Sequence, residues 1–129
     1  MGPGICNPKF RQKKAKILFD KYFVNINSFP YFRYLWLRQE DLKNKTILEL
    51  GSGTSLPGLL CAKFGASKVY LSDDSWQPNT LKNINEAVKI NGLAEQPDRV
   101  QVKGLSWGDY TEELFDVSQD KLDFVIGEY

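Results

Sequence analysis

The segment from Lys45 to Asp74, KTILELGSGTSLPGLLCAKFGASKVYLSDD, constrains the fold more than any other part of the chain. An apolar run ends in the glycine-rich loop E-L-G-S-G, a short helix-like segment follows, and a second apolar run ends in acidic residues. Nearly continuous apolar runs are typical of strands that are buried on both faces of a parallel sheet. The segment therefore predicts a βαβ unit that binds an adenosine compound at its glycine-rich loop.

Strand and helix patterns alternate along most of the chain. Strands are predicted at Thr46–Leu50, Val69–Ser72, Arg99–Lys103 and Leu122–Ile126. Helices are predicted at Tyr31–Leu42, at Pro57–Phe64, from Pro78 to the Asn91-Gly92 pair, and briefly at Thr111–Phe115. Leu81, Ile84 and Val88 recur at helical spacing and mark the buried face of the helix after Pro78. The alternation predicts an α/β fold, with a parallel sheet and helices on both of its faces.

The glycine-rich loop and the acidic residue after the second strand suit the binding of a ribose-containing ligand. Gly51 and Gly53 allow a tight turn and let a ligand lie against the backbone without a Cβ in the way. Asp73 follows Gly51 by 22 residues, and an acid about 20 residues on is placed to accept hydrogen bonds from ribose hydroxyls. Asp73 is preferred over Asp74, which is expected to point to solvent.

The loop departs from the dinucleotide fingerprint G-x-G-x-x-G. Leu56 occupies the position of the third glycine, and a glycine follows only at Gly58. Pro57 also removes a backbone N–H at the helix start, where a pyrophosphate would need donors. A ligand with adenosine but no phosphate fits better, and S-adenosylmethionine is such a ligand.

Composition limits the remaining chemistry. The chain has 129 residues, 42% of them hydrophobic, which suits a single domain with a buried core. It has no histidine, so neither a Ser–His nor a Cys–His nucleophile pair is possible. Its two cysteines show no paired spacing, so neither a metal site nor a disulfide framework is expected. The reducing cytoplasm or nucleus suits such a chain.

Charge is distributed unevenly along the chain. Residues 1–43 contain nine Lys or Arg and three acidic residues, whereas residues 44–129 contain eight basic and thirteen acidic ones. We therefore expect a basic, partly flexible arm at residues 1–30 and a partial cofactor-binding domain at residues 31–129. The arm has few aromatic residues near its lysines and no nucleic-acid motif, so nucleic-acid binding is not favoured. No apolar run is long enough for a membrane span.

Four stretches of the sequence resemble a known family. KTILELGSGTSLPGLLCAKFGASKVYLSDDS, NINEAVKINGL, VQVKGLSWGDY and LDFVIG look like the class I S-adenosylmethionine-dependent methyltransferases of the methyltransferase-like group. The resemblance covers about Phe32 to Gly127. It implies a Rossmann-like fold, S-adenosylmethionine as cofactor, and methyl transfer to a protein substrate, either to a histone arginine or to a lysine side chain.

The resemblance also implies roles for individual residues. Gly51, Ser52 and Gly53 match the loop beneath the methionine part of the cofactor. Asp73 matches the ribose-binding acid, and Trp107 matches the tryptophan that packs on the adenine. Glu49 at the first strand and Gly127 at the fourth complete the expected cofactor site. No residue is assigned as catalytic, while Trp36 and Trp76, which match no such position, are expected to be packing residues.

The sequence departs from the family at both ends. Phe29-Pro30 is a loose substitute for an upstream aromatic-Pro element, and Gly127-Glu128-Tyr129 replaces the usual Gly-x-Asp that is followed by an aromatic residue. The later strands of the family's sheet are missing, which leaves the fourth strand as an edge that can pair with another chain. A truncated, inactive isoform that binds cofactor or a partner is therefore the alternative to an active enzyme.

Overall fold

The computed structural model describes residues 30–127, and residues 1–29 of the predicted basic arm lie outside this range. The helices are α1 Pro30–Leu37, α2 Gln39–Leu42, α3 Leu56–Lys63, α4 Pro78–Ile90 and α5 Glu112–Ser118. The strands are β1 Thr46–Leu50, β2 Lys68–Asp73, β3 Val100–Gly104 and β4 Phe124–Gly127. Each predicted strand is present within two residues of its predicted bounds. Within residues 30–127, no helix combines the length and the apolar character that crossing a membrane requires.

The four strands form one parallel sheet in the order β3-β2-β1-β4. Leu48 in β1 lies opposite Tyr70 of β2 on one side and Val125 of β4 on the other. The chain therefore moves outward from β1 to β3 and then returns to the far side of β1. In open α/β sheets, ligands bind at the carboxyl ends of the strands beside such a reversal of strand order.

The larger core lies on the face of the sheet that α1 to α4 cover. Ile47, Val69 and Leu71 of the sheet are fully buried there, together with Leu59 of α3 and Ile84 of α4. The buried face predicted for α4 is confirmed, since Val88 is buried and Leu81 packs against this core. Trp36 is a packing residue as expected, because its ring lies 5.5 Å from that of Phe64.

The opposite face is covered more sparsely, by α5 and the segments beside it. Its buried residues are Leu48, Tyr70, Leu105 and Val117. Val125 of β4 stays 55% exposed on this face. Helices thus cover both faces of the sheet, which confirms the predicted Rossmann-like fold, and β4 forms one edge of the sheet described by residues 30–127.

The predicted helix at Tyr31–Leu42 is divided in two by Arg38. This residue has φ −104° and ψ 15°, outside the helical region. Its N–H reaches the carbonyls of both Tyr34 and Leu35, at 3.1 and 3.2 Å, as at a tightening helix end. The single turn of α2 then buries Leu42. The apolar pattern alone fits one continuous helix equally well.

Candidate functional site

The loop after β1 is built on backbone conformations that favour glycine. Gly51 has φ 61° and Gly53 has φ 52°, both in the left-handed region. Ser55, the residue before α3, shares this region with φ 60°. Its hydroxyl is buried and has no hydrogen-bond partner among the residues that the structure describes. The loop thus bends sharply at the carboxyl end of β1 and contains one buried hydroxyl that it does not itself satisfy.

Two serines lock this loop to β2. The Ser52 N–H donates to the Ser72 carbonyl at 2.7 Å, and the Ser72 N–H donates to the Ser52 hydroxyl oxygen at 3.0 Å. The Ser72 hydroxyl donates in turn to the Glu49 carbonyl at 2.6 Å. Ser52 and Ser72 are both buried. Ser52 therefore supports the loop from beneath.

Asp73 joins the loop to the end of β2. Its carboxylate accepts hydrogen bonds from the N–H of Gly53 at 2.9 Å and from the N–H of Asp74 at 2.7 Å. A carboxylate offers about four acceptor positions, so two such bonds leave capacity for a ligand hydroxyl. Asp73 therefore holds the glycine-rich loop and keeps acceptor positions for a further donor.

Glu49 belongs to β1, and its side chain lies against Gly58 of α3. It is 3% exposed, and a Cβ built on Gly58 would overlap the Leu71 side chain and stand 2.9 Å from Glu49 Oε1. Gly58 therefore permits the close approach of helix and strand that the third glycine permits in the dinucleotide fingerprint. Burial, and secondarily the charge of Glu49, raise the pKa of the Cys61 thiol to about 12.

A cleft of about 480 Å³ opens at the carboxyl ends of the strands. Its lining comprises Gly51, Asp73, Asp74, Trp76, Leu105, Ser106, Trp107 and Asp109. The volume falls within the roughly 300–1,000 Å³ of small-molecule sites. The fold thus brings together Gly51, Asp73 and Trp107, which sequence analysis places at the cofactor. The Trp107 side chain is 79% exposed and available to a ligand.

The other predicted site residues do not line this cleft. Ser52 and Gly53 stand behind Gly51 and are tied to β2 and to Asp73. The Glu49 side chain faces α3, and Gly127 lies opposite Leu50 at the end of β4. The predicted residues therefore lie near the carboxyl end of the sheet. Of this set, Gly51, Asp73 and Trp107 line the cleft.

One expectation for the loop after β2, the packing role of Trp76, is wrong. Trp76 is 78% exposed and lines the cleft instead of packing in the core. Asp74 is partly buried, and its Oδ1 accepts from the Trp76 N–H at 3.0 Å and from the Ser106 hydroxyl at 2.7 Å. These two hydrogen bonds lower the pKa of Asp74. The sequence could not reveal the hydrogen bond from Ser106, because Ser106 follows β3 and is distant from Asp74 along the chain.

The sheet order and the cleft define the Rossmann-like fold of class I methyltransferases. Among solved structures, protein arginine methyltransferase 10 of Arabidopsis thaliana matches with a TM-score of 0.56 at 20% identity, over 95% of this chain and 31% of that one. The PRMT1 enzyme-prozyme complex of Trypanosoma brucei, with AdoHcy, matches with a TM-score of 0.53 at 22% identity, over 86% and 33%. These likenesses show the fold.

Residues 13–128 match the family described as lysine methyltransferase, so the chain belongs to this family. Histone-arginine methyltransferase METTL23 of Xenopus laevis is 40% identical over 95 residues, which cover 74% of this chain and 38% of that protein. METTL23 of Rattus norvegicus is 37% identical over 98% of this chain and 54% of its own length. Protein-lysine N-methyltransferase EFM3 of Chaetomium thermophilum is 38% identical over 74% and 29%. The chain thus spans about half or less of these relatives.

Proposed function

We propose that this chain binds S-adenosylmethionine in the cleft and serves the methylation of a protein nitrogen. The observation that carries the proposal is the meeting of Gly51, Asp73 and Trp107 in one cleft beside the point where the strand order reverses. The acceptor is a histone arginine or a protein lysine side chain, in keeping with what the names of the relatives say of those proteins. A histone acceptor favours a nuclear location, and other acceptors a cytoplasmic one.

The charge of the cleft supports this cofactor over a dinucleotide. Asp73, Asp74 and Asp109 all line it, and three carboxylates repel a pyrophosphate at close range. S-adenosylmethionine carries a positive sulfonium and no phosphate, so the same carboxylates favour it. Pro57 near the start of α3 also removes a donor that a phosphate would use.

In this proposal the residues of the chain bind and orient the cofactor. The loop of Gly51, Ser52 and Gly53 supports its methionine part, with Gly51 on the lining of the cleft. Asp73 accepts hydrogen bonds from the ribose, and Trp107 packs on the adenine. The cofactor itself supplies an activated methyl group, so the chain's contribution is alignment and exclusion of water.

A second candidate function is a cofactor- or partner-binding module without turnover. The unevenly covered sheet favours it, because β4 is an edge of the described sheet and Val125 on its exposed face is 55% exposed. An exposed edge strand can pair with a strand of another chain. The two candidates share the cofactor cleft and differ in whether a methyl group is transferred.

Titration calorimetry with S-adenosylhomocysteine, the product form of the cofactor, tests the shared part of both. Micromolar binding by the purified 129-residue chain supports the cofactor site, and absence of binding by a folded chain contradicts it. Incubation with radiolabelled S-adenosylmethionine and histones then separates the candidates. Label in an acceptor protein supports the enzyme, and binding without any transfer supports the module.

Asp73→Ala tests the assignment of the ribose-binding acid. We expect the variant to lose about 1.5–3 kcal/mol of binding free energy, as for the loss of a charged hydrogen-bond partner. Asp123→Ala is a matched control, because Asp123 Oδ2 also accepts a backbone N–H, that of Thr46 at 2.9 Å, but at the other end of the sheet. Equal affinities in the two variants would remove Asp73 from the site.

A further inference from the structure

Two exposed indoles line the cleft, and the cofactor assignment above uses only Trp107. Trp76 is 78% exposed and Trp107 is 79% exposed, whereas the core aromatic Tyr70 is 3% exposed. An indole is a broad apolar surface that gains free energy when it is covered. An indole on the wall of a cleft is covered when a ligand occupies the cleft. No part of the ligand has yet been assigned to Trp76.

A single carboxylate holds both indole-bearing loops together. Asp74 Oδ1 accepts from the N–H of Trp76 and from the hydroxyl of Ser106, which directly precedes Trp107. The Ser75 hydroxyl also hydrogen-bonds to the Ser106 hydroxyl. The loop after β2 and the loop after β3 are therefore joined beside the cleft, and the backbone positions of the two tryptophans are set relative to each other.

We propose that Trp76 is a second base-contacting residue, so that the adenine of the cofactor is contacted by indoles from two loops, with Asp74 as the positioning residue. The inference rests on the proposed function, because it concerns the same cofactor. A ribose held at Asp73 brings its base near the residues that follow Asp73 in the same loop. A purine has two flat faces, and stacking on an aromatic side chain is largely independent of base identity.

The arrangement makes the base a main source of binding free energy. Loss of an aromatic side chain that stacks on a base weakens binding about 5- to 150-fold. Trp76→Ala is therefore expected to weaken binding of S-adenosylhomocysteine roughly tenfold. L-homocysteine, which lacks the base and ribose, has nothing to place against either indole and is expected to bind far more weakly.

Tryptophan fluorescence distinguishes a stacked base from a general loss of structure. In a Trp107→Phe variant, Trp76 is the remaining indole of the cleft, since Trp36 packs against Phe64. S-adenosylhomocysteine is expected to quench its emission, and L-homocysteine is expected to leave it unchanged. If calorimetry shows binding to this variant while the emission stays constant, the base does not contact Trp76 and the proposal is overturned.

Calorimetry on Trp76→Ala gives the second arm. Tyr110→Ala is the matched control, because Tyr110 is 95% exposed on the same segment as Trp107 but does not line the cleft. Wild-type affinity in Trp76→Ala, with circular dichroism unchanged, overturns the assignment of Trp76 and leaves the cofactor proposal standing. If the folded wild-type chain binds no S-adenosylhomocysteine, the cofactor proposal fails and this inference falls with it.

Asp74 is tested through the indole that it positions. Asp74→Ala removes both hydrogen bonds and is expected to weaken binding severalfold and to change the emission of Trp76 before any ligand is added. Asp74→Asn retains an acceptor oxygen and is expected to restore most of the affinity. An Asp74→Ala variant with wild-type emission and wild-type affinity contradicts the positioning role.

Discussion

The two walls of the cleft are held in place by different kinds of interaction. The glycine-loop wall lines the cleft at Gly51 and Asp73 and is backed by residues 52–55 and Ser72, and hydrogen bonds connect its backbone to β2. The tryptophan wall consists of residues 74–76 and 105–109, where both indoles are exposed and the carboxylate of Asp74 joins the two loops. The glycine-loop wall is held by hydrogen bonds to buried groups, whereas the tryptophan wall is held by hydrogen bonds near the protein surface.

The difference follows from what each wall offers to a ligand. A ligand that lies against backbone atoms needs a loop of fixed shape, and the shape of this loop requires left-handed residues, which only buried contacts keep in place. An indole offers area, and its exact position matters less to a flat base. We therefore expect substitutions in the glycine-loop wall to change both stability and binding, and those in the tryptophan wall to change mainly binding.

Gly53→Val is the change with the largest expected effect. Gly53 has φ 52°, which a β-branched residue adopts at a penalty of about 1–3 kcal/mol. The strain also displaces the loop beside Gly51 and the Gly53 N–H that donates to the Asp73 carboxylate at 2.9 Å, so the cleft lining is distorted. Chemical denaturation should show this loss of unfolding free energy, and calorimetry should show at least a tenfold loss of affinity for S-adenosylhomocysteine, equivalent to about 1.4 kcal/mol.

Gly92→Val is the matched control for this prediction. Gly92 has φ 71° and lies just beyond the end of α4, where an added Cβ would meet nothing within 4 Å. It should therefore lose unfolding free energy by a similar backbone penalty and retain wild-type affinity. If both variants lose affinity equally, the effect of Gly53→Val reflects stability alone, and the glycine-loop wall loses its assignment as a ligand contact.

The two walls also differ in how far the sequence predicts them. The glycine-loop wall is foreseen because its conformation restricts residue type, so that Gly51, Gly53 and the acid at Asp73 stand at readable spacing. The helix and strand order is foreseen for a similar reason, since buried faces repeat with a fixed period. The break at Arg38 could not be predicted from the sequence. Leu42 has the same spacing from the other apolar residues whether the helix is continuous or broken.

The tryptophan wall is foreseen only at Trp107, and there through resemblance to a family. The residue type of Trp76 suggests a core position, but Trp76 is exposed in a loop where its N–H donates to Asp74. Asp74 in turn depends on Ser106, which is distant in sequence. A loop whose conformation is set by one tertiary contact has no period and no required residue type, so its sequence contains no local signal.

A Ser→Ala substitution in each wall, Ser72→Ala and Ser106→Ala, tests the difference in stability between the two walls. The Ser72 hydroxyl is buried and donates to the Glu49 carbonyl at 2.6 Å, so its loss should reduce the unfolding free energy by about 1 kcal/mol. Ser106 is only partly buried, and its replacement should change stability within about 0.5 kcal/mol while altering tryptophan emission. Denaturation curves with the reverse order of stability would contradict the distinction between the walls.

The smallest expected effect is the response of the tryptophan wall to acid. Hydrogen bonds from the Trp76 N–H and then from Ser106 lower the pKa of Asp74 below its ordinary value. A carboxyl group whose pKa is lowered by folding stabilises the folded state above the unfolded pKa, about 3.9, and this contribution is lost as the pH falls through the lower folded pKa. The connection between the two loops should therefore be complete at neutral pH and weaken only below about pH 4.

Tryptophan emission followed from pH 7 downward, with circular dichroism recorded in parallel, measures this response. Hydrogen bonds from Tyr70 and Lys68 lower the pKa of Asp120 as well, at the other end of β2. Asp74→Asn separates the two carboxylates, since the variant keeps Asp120 and cannot titrate at residue 74. The wild-type chain should show an emission change that the variant lacks while the backbone signal is still native. An identical emission change in the wild-type chain and in the variant would assign the change to Asp120 or to general acid unfolding. The tryptophan wall would then be no more sensitive to acid than the glycine-loop wall.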